Sequence, residues 1–255
     1  MSVPSQSRRR HALLVHGWGM APAHWAPLRD CLGEAFDLSC PALPGHGGAD
    51  LQPGWRPEHL ADQWVDEFPD RLWIAWSLGG LVALAAALRH PSRIQGLVLI
   101  GATPCFVSRE SWRHGMSPSQ FRVFREQCLA DPQGTLIQFT ALQMQADHRG
   151  LAGLRALRSQ AANAPAPHPD GLQHGLDVLE RTDFRECLSS IATPTLWLTG
   201  DGDSLTPPAA AQWAASRQSR ARSRTLEGAG HAPFITHPTT LTEHLYDGLR
   251  ELDVS

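Results

Sequence analysis

The stretch Trp73–Leu88, "WIAWSLGGLVALAAAL", constrains this chain more than any other. It begins as an apolar run with no polar alternation, the pattern of a strand buried on both faces. It ends as an apolar helix over 78–90, closed by Pro91. A strand that turns directly into a helix predicts a parallel sheet with helical crossovers. The residue at the join is Ser77. A serine there, between small residues, has the pattern of a nucleophile elbow, a sharp turn that lifts a hydroxyl clear of the sheet. The usual pattern is G-x-S-x-G; here it is Ala75-Trp76-Ser77-Leu78-Gly79, with alanine small enough to replace the first glycine. A serine that only caps a helix would look the same in isolation, so the rest of the chain has to decide.

The same alternation runs on either side. Strands are expected at 12–15, 36–40, 71–75, 94–102, 195–200 and 223–228. Helices are expected at 22–33, 57–68, 208–216 and about 238–250. Between Thr103 and Cys187 there is no strand pattern, only four helix-like stretches. An insertion of that size at the carboxyl edge of a sheet is a natural cap over a site. The expected organisation is a core of residues 11–103 and 187–255, a helical cap of residues 104–186 and a tail of residues 1–10.

Composition narrows the chemistry. The 255 residues are 42% hydrophobic with a formal charge of −3, so neither nucleic acid nor a membrane surface is the expected partner. Every basic residue is arginine, which removes lysine-base and Schiff-base chemistry. Cys31, Cys40, Cys105, Cys128 and Cys187 are scattered, with no C-x-x-C pair. That is neither a disulfide framework nor a zinc site, and it suits a reducing compartment. "MSVPSQSRRR" precedes no apolar segment of signal-peptide length. The expectation is a cytoplasmic monomer that needs no metal or organic cofactor.

A serine hydroxyl needs a base, and the base needs an orienting acid. "TLWLTGDGDSLTPP" supplies Asp201 and Asp203 after one late strand, and "LEGAGHAPF" supplies His231 after the next. Asp203 stands further from the strand end and reaches a neighbouring loop better, so Asp201 is read as a turn residue. His237 is a rival base, but it precedes Pro238 at a helix start and is expected to face solvent. Ser77, Asp203 and His231 follow the chain order of one hydrolase architecture. An oxyanion formed by attack of Ser77 would need preorganised donors. The Leu78 N–H and, from "HGWG", the Trp18 N–H are the candidates, with the Trp18 ring walling an acyl pocket.

These residues carry a resemblance. "LLVHGWG", "LPGHG", "WSLGGLVA", "GDGDSLTP" and "GHAPFITHP" resemble the α/β-hydrolases over about residues 11–250. The cap sequences "TPCFVSRESW", "FTALQMQ" and "HGLDVLERTDFR" are similar to those of the pimeloyl-[acyl-carrier protein] methyl ester esterases of biotin synthesis. The resemblance implies Ser77 as nucleophile, Asp203 as orienter and His231 as base. It also implies substrate contacts at Trp18, Leu78 and the cap stretch Phe139, Thr140, Ala141, Leu142 and Gln143. It further implies an acidic acyl-carrier protein as partner, met by arginines of the cap. Two matching positions hold Gly134 and Gln138 instead. Arg155 matches, and Arg149 and Arg158 lie near it in sequence, so the docking footprint is expected to be redrawn. A short-chain esterase or lactonase, and more remotely a non-catalytic ligand receptor on the same fold, are the rival readings.

Overall fold

The apolar runs form the centre of a six-stranded, fully parallel sheet. The computed structural model describes residues 9–68, 71–162 and 164–254, apart from the side chains of Glu34 and Arg71. The strands are β1 (Arg10–Val15), β2 (Phe36–Ser39), β3 (Arg71–Trp76), β4 (Ile94–Ile100), β5 (Thr195–Gly200) and β6 (Ala221–Leu226), in the order β2-β1-β3-β4-β5-β6. Every residue of β5 and all but Gln95 of β4 are buried. Such unbroken burial requires cover on both faces of the sheet. The helices supply it: α1 (Ala26–Leu32), α2 (Pro57–Glu67), α3 (Leu78–Arg89), α8 (Pro208–Ser216), the short α9 (Pro233–Thr236) and α10 (Pro238–Glu251).

Several strand ends lie one or two residues from where the sequence reading puts them, and two of these shifts have a visible cause. Arg10, expected in the tail, opens β1: it pairs in register with Phe36, its Nη2 donates to the Val254 carbonyl at 3.2 Å, and its guanidinium lies 5.1 Å from the Phe36 ring. Residues 1–8 of the expected tail lie outside the described residues. β6 starts two residues earlier than expected, because Thr195 pairs with Ala221 and draws the polar "ARSR" into the ladder. An edge strand tolerates that polarity, since half of it faces water.

Between β4 and β5 the chain forms α4 (Pro118–Ala130), α5 (Pro132–Gln143), α6 (Gly150–Ala161) and α7 (Pro169–Arg181). Among the described residues of this segment the only β pairing is isolated bridges such as Cys105–Asp183. Ser117 caps α4 and Asp131 caps α5 by accepting from the Gln120 and Gly134 N–H groups. α7 crosses the loop after β2 so closely that a Cβ on Gly171 would sit 2.7 Å from the Gly45 carbonyl oxygen. No helix of the described residues is long and apolar enough to cross a membrane.

The strand order fixes where a site can form. From β1 the chain runs outward to β2, then returns past β1 to β3 and continues to β4. The loops leaving β1 and β3 therefore diverge, opening a crevice at the carboxyl edge of these two neighbours. "HGWG" leaves β1 there, and Ser77 leaves β3.

Candidate active site

Ser77 sits between β3 and α3 with φ 53° and ψ −118°, a left-handed conformation that non-glycine residues rarely adopt. Its surroundings hold it there. Its N–H donates to the Ile100 carbonyl at 3.0 Å, and its own carbonyl accepts from Gly80 N–H at 2.9 Å. The turn is possible only because its neighbours lack side chains: a Cβ on Gly79 would lie 2.4 Å from the Val15 carbonyl oxygen, and one on Gly80 2.6 Å from Ala102 Cβ. Ala75, in place of the usual glycine, is fully buried within β3.

Beside it, the turn closed by Met20 N–H to the Gly17 carbonyl (3.3 Å) carries Trp18 at its corner, and a Cβ on Gly17 would be 3.1 Å from Ser77 Cβ. His16 braces this turn from below. Its Nδ1 lies 2.9 Å from the Gly17 carbonyl, and its Nε2 accepts the Leu43 N–H at 3.0 Å. Only a neutral ring does both. Burial, reinforced by His46, pushes His16 down to about 3; burial pushes His46 down to about 4. Leu78, the first residue of α3, has an N–H with no partner inside the helix.

The loops after β5 and β6 bring an acid to a base. Asp203 Oδ2 lies 2.8 Å from His231 Nδ1, and the two side chains are 0% and 2% exposed. Asp203 accepts three further hydrogen bonds, from the Leu205 and Thr206 N–H groups at 2.9 Å and from Thr206 Oγ1 at 2.7 Å. A carboxylate only accepts, so His231 Nδ1 carries the proton and Nε2 presents its lone pair. Nε2 is buried and makes no hydrogen bond. The ring is fixed from behind. Trp76 Nε1 donates to the His231 carbonyl at 3.0 Å, and a Cβ on Gly101 would meet His231 Nδ1 at 3.1 Å. Asp201 is exposed.

His237 does not face solvent as expected. Its side chain is 11% exposed, and its Nδ1 is bonded to Thr236 Oγ1 at 2.8 Å. The proline after it starts α10 against the core, which draws the ring inward.

The cap stretch 139–143 is split by helical geometry. Five consecutive helical residues turn through more than a full circle, so they cannot all face one cavity. Phe139 and Gln143, one turn apart, point inward and are buried. Thr140 is half-buried, with its hydroxyl on the Leu136 carbonyl at 2.7 Å. Leu142 is half-buried and lines a separate cleft with Phe124 and Leu205, while Ala141 is exposed. The expectation of a continuous substrate wall is therefore corrected at Ala141. Trp18 ties the turn after β1 to α4, α5 and α7: its Nε1 donates to the Leu172 carbonyl at 2.8 Å, and its ring packs edge-on to Phe139 and Phe124 at 5.0 and 5.3 Å. The Gln143 amide is buried with neither its oxygen nor its nitrogen bonded. A cleft of about 320 Å³ opens beside this cluster, walled by Gly19, His24, Leu136, Thr140, Leu157 and Arg158 among others. Ser77 and His231 are not among its walls.

The cap arginines are not equivalent. Arg149 Nη1 donates to the Thr236 carbonyl at 3.0 Å, so part of that side chain is spent within the molecule. Arg155 and Arg158 stand one turn apart on α6, both exposed. All five cysteines are free, and burial raises the thiol pKa of Cys105 and Cys128, away from thiolate character. Thr206 and Trp76, which hold Asp203 and His231, carried one weak signal each: the Asp-x-x-Thr spacing of an Asp-led turn, and adjacency to Ser77.

The chain matches the family described as the alpha/beta hydrolase fold over residues 11–238. It is similar in architecture to a bromoperoxidase from Bacillus anthracis (TM-score 0.85, 21% identity, 95% of this chain and 92% of that one). It is likewise similar to an esterase from Exiguobacterium antarcticum (TM-score 0.83, 21% identity, 94% and 92%). At such identities these likenesses speak to fold alone. Closer in sequence are the pimeloyl-[acyl-carrier protein] methyl ester esterases of Aromatoleum aromaticum (39% identical, covering 95% of this chain and 99% of the relative) and Stenotrophomonas maltophilia (36%, 99% of both). With a parallel sheet, a serine elbow and a buried acid–base pair at one sheet edge, the chain belongs to the α/β-hydrolase fold family and, within it, to the family of pimeloyl-[acyl-carrier protein] methyl ester esterases.

Proposed function

We propose that this chain is a serine carboxylesterase that hydrolyses the methyl ester of pimeloyl-[acyl-carrier protein] to the free carboxylate and methanol in biotin synthesis. The observation that carries the reading is the His231–Asp203 pair, buried at 2.8 Å, with the bare Nε2 of His231 at the sheet edge that also holds the Ser77 elbow. The names of the relatives supply the substrate class.

The mechanism follows from the residues. Ser77 Oγ attacks the ester carbonyl carbon while His231 Nε2 takes the hydroxyl proton. The imidazolium that results lies against the Asp203 carboxylate, which stabilises it and keeps the ring oriented. The N–H groups of Trp18 and Leu78 stabilise the oxyanion of the tetrahedral intermediate. Collapse breaks the bond to the methoxy oxygen, which leaves as methanol with the proton from His231. Water, deprotonated by the same nitrogen, then attacks the acyl carbon; the bond to Ser77 Oγ breaks, Oγ takes the proton back from His231, and the ω-carboxylate leaves. Phe139 supplies apolar contact and Gln143 a polar one along the acyl chain. No step needs a metal or organic cofactor. The enzyme works as a cytoplasmic monomer, and the acidic carrier docks on the cap at Arg155 and Arg158, with Arg149 held back by its bond to Thr236.

The deciding experiment compares turnover of pimeloyl-carrier protein methyl ester with that of the free dimethyl ester, together with growth without biotin of a strain lacking its own esterase. Rescue and a strong preference for the carrier-linked ester are expected. Efficient turnover of free esters or lactones without rescue would favour the short-chain esterase or lactonase. No turnover, and no covalent fluorophosphonate adduct on Ser77, would favour the receptor.

A further inference from the structure

The end of α5 and the turn after it, residues 143–149, lie directly on the loop that carries His231. The His231 N–H donates to the Gln143 carbonyl at 3.0 Å, and the N–H of the preceding Gly230 donates to Asp147 Oδ2 at 2.8 Å. The same carboxylate oxygen accepts Thr236 Oγ1 at 2.7 Å, while Oδ1 accepts the Arg149 N–H at 2.7 Å. The His148 N–H reaches the Gly228 carbonyl at 2.8 Å. There is no room between the two segments: a Cβ on Gly230 would lie 2.8 Å from the Gln143 carbonyl oxygen, and one on Gly228 2.5 Å from His148 Nδ1. The acid loop is touched as well, since a Cβ on Gly202 would lie 2.6 Å from the Ala146 carbonyl oxygen. Ala146 is itself left-handed, with φ 60°, a strain that persists only where its surroundings over-determine it.

The Asp147 side chain is fully buried, and both of its oxygens are committed. An aspartate that only anchored the cap could have bonded any surface of the core. This one bonds the backbone next to the base, beside a second bond from the same segment to the base itself. From this geometry we infer that Asp147 is a positioning residue for His231: through the Gly230 N–H it sets where the imidazole stands, and it makes the seating of the cap and the alignment of the base one event. The inference rests on His231 acting as the general base.

The test uses the full chain, with Asp147→Asn and Asp147→Ala beside wild type, p-nitrophenyl acetate as substrate, and active Ser77 counted by end-point titration with a fluorophosphonate. A displacement of the base on the order of 1 Å lowers turnover about 100-fold. The expected result is a kcat per titrated serine ~10–100-fold below wild type for Asp147→Ala, at a KM within about twofold, since the small ester does not touch Asp147. Asp147→Asn keeps one accepting oxygen and should lose less; it also keeps the test alive should the alanine variant fail to fold. A folded Asp147→Asn with wild-type kcat per titrated serine, whatever its thermal midpoint, overturns the inference and leaves Asp147 a fastening of the cap. If the wild-type chain neither turns over the ester nor labels at Ser77, the proposed function falls and the inference with it. If wild type is active and the variants match it, only the inference falls.

Discussion

His231 Nδ1 stands 2.8 Å from Asp203 Oδ2, and the two side chains are almost wholly removed from water. Such a pair fixes the tautomer of the ring, because the carboxylate can only accept. Asp203→Asn would let the side-chain amide donate to Nδ1 and turn the proton to Nε2, where a base needs its lone pair. In the serine-protease template that change costs about 10⁴-fold in kcat, and a loss of that order is expected here on any ester. Asp201→Asn, at an exposed position, should stay within about threefold of wild type, a change of under 1 kcal/mol. Steady-state kinetics of both variants decide the matter, and a crippled Asp201→Asn would mean the acid is misassigned.

Ser77→Ala removes the attacking oxygen and little else, since no side-chain hydrogen bond from Ser77 caps α3. Turnover of p-nitrophenyl acetate should fall toward the ~10⁶-fold loss known for removal of a triad nucleophile. The circular dichroism spectrum should be unchanged. Wild-type turnover by the folded variant would remove the basis of the proposed mechanism.

The elbow depends on absent side chains. In Gly79→Ala the new methyl would stand 2.4 Å from the Val15 carbonyl oxygen and 2.7 Å from that of His16. Both are backbone atoms of β1 and its exit turn, and neither can swing aside. Destabilisation of about 1–3 kcal/mol is expected from overpacking of this kind, accompanied by loss of activity as Ser77 and Trp18 are pushed apart. Urea unfolding with unchanged midpoint and full activity would contradict the packing described above.

Stability should depend on pH below neutrality. His16 and His46 are held neutral in the folded state, at about 3 and about 4, below the unfolded value of 6.5. Protons therefore bind the unfolded chain first, and stability is lost as pH falls from 6.5 toward these folded values. At pH 5 each histidine would contribute a loss of about 2 kcal/mol relative to pH 7. Asp62, held at about 2 first by its hydrogen bond from Arg89, acts only at lower pH and does not blur this window. Equal unfolding free energies at pH 7 and pH 5 would show that these rings protonate without cost.

Docking on an acidic carrier should be electrostatic and separable from chemistry. Between Arg109 and Arg158 there are seven arginines and four acidic residues on a chain of net charge −3. Complementary charge acts mostly on association rate and fades with salt, the Debye length being about 8 Å at 0.15 M. Arg155→Glu with Arg158→Glu, or added salt, should lower kcat/KM for the carrier-linked ester and leave p-nitrophenyl acetate nearly unchanged. Equal losses on both substrates would point to a disturbed cap, and no loss on either to docking elsewhere.

The parallel sheet, the helical crossovers and the position of Ser77 at a strand-to-helix join can all be read from the order of residues. Each of these is written in local periodicity and in glycines at fixed offsets. The order of Ser77, Asp203 and His231, each just after a strand, was legible for the same reason. Tertiary structure alone decided which residues meet. Asp203 reaches His231 because β5 and β6 pair in register, and the His16 ring supports the turn of Trp18 because the loop after β2 folds back to donate Leu43 N–H. Arg10 became a strand residue through its pairing with Phe36, and Ala141 turned outward because a helix cannot point five consecutive residues one way. Asp147 shows the limit most clearly. One exposed-looking acid in a polar turn, it acquires its place only because the turn after α5 packs on a loop 83 residues further along the chain, and separations of that kind leave no trace in local pattern.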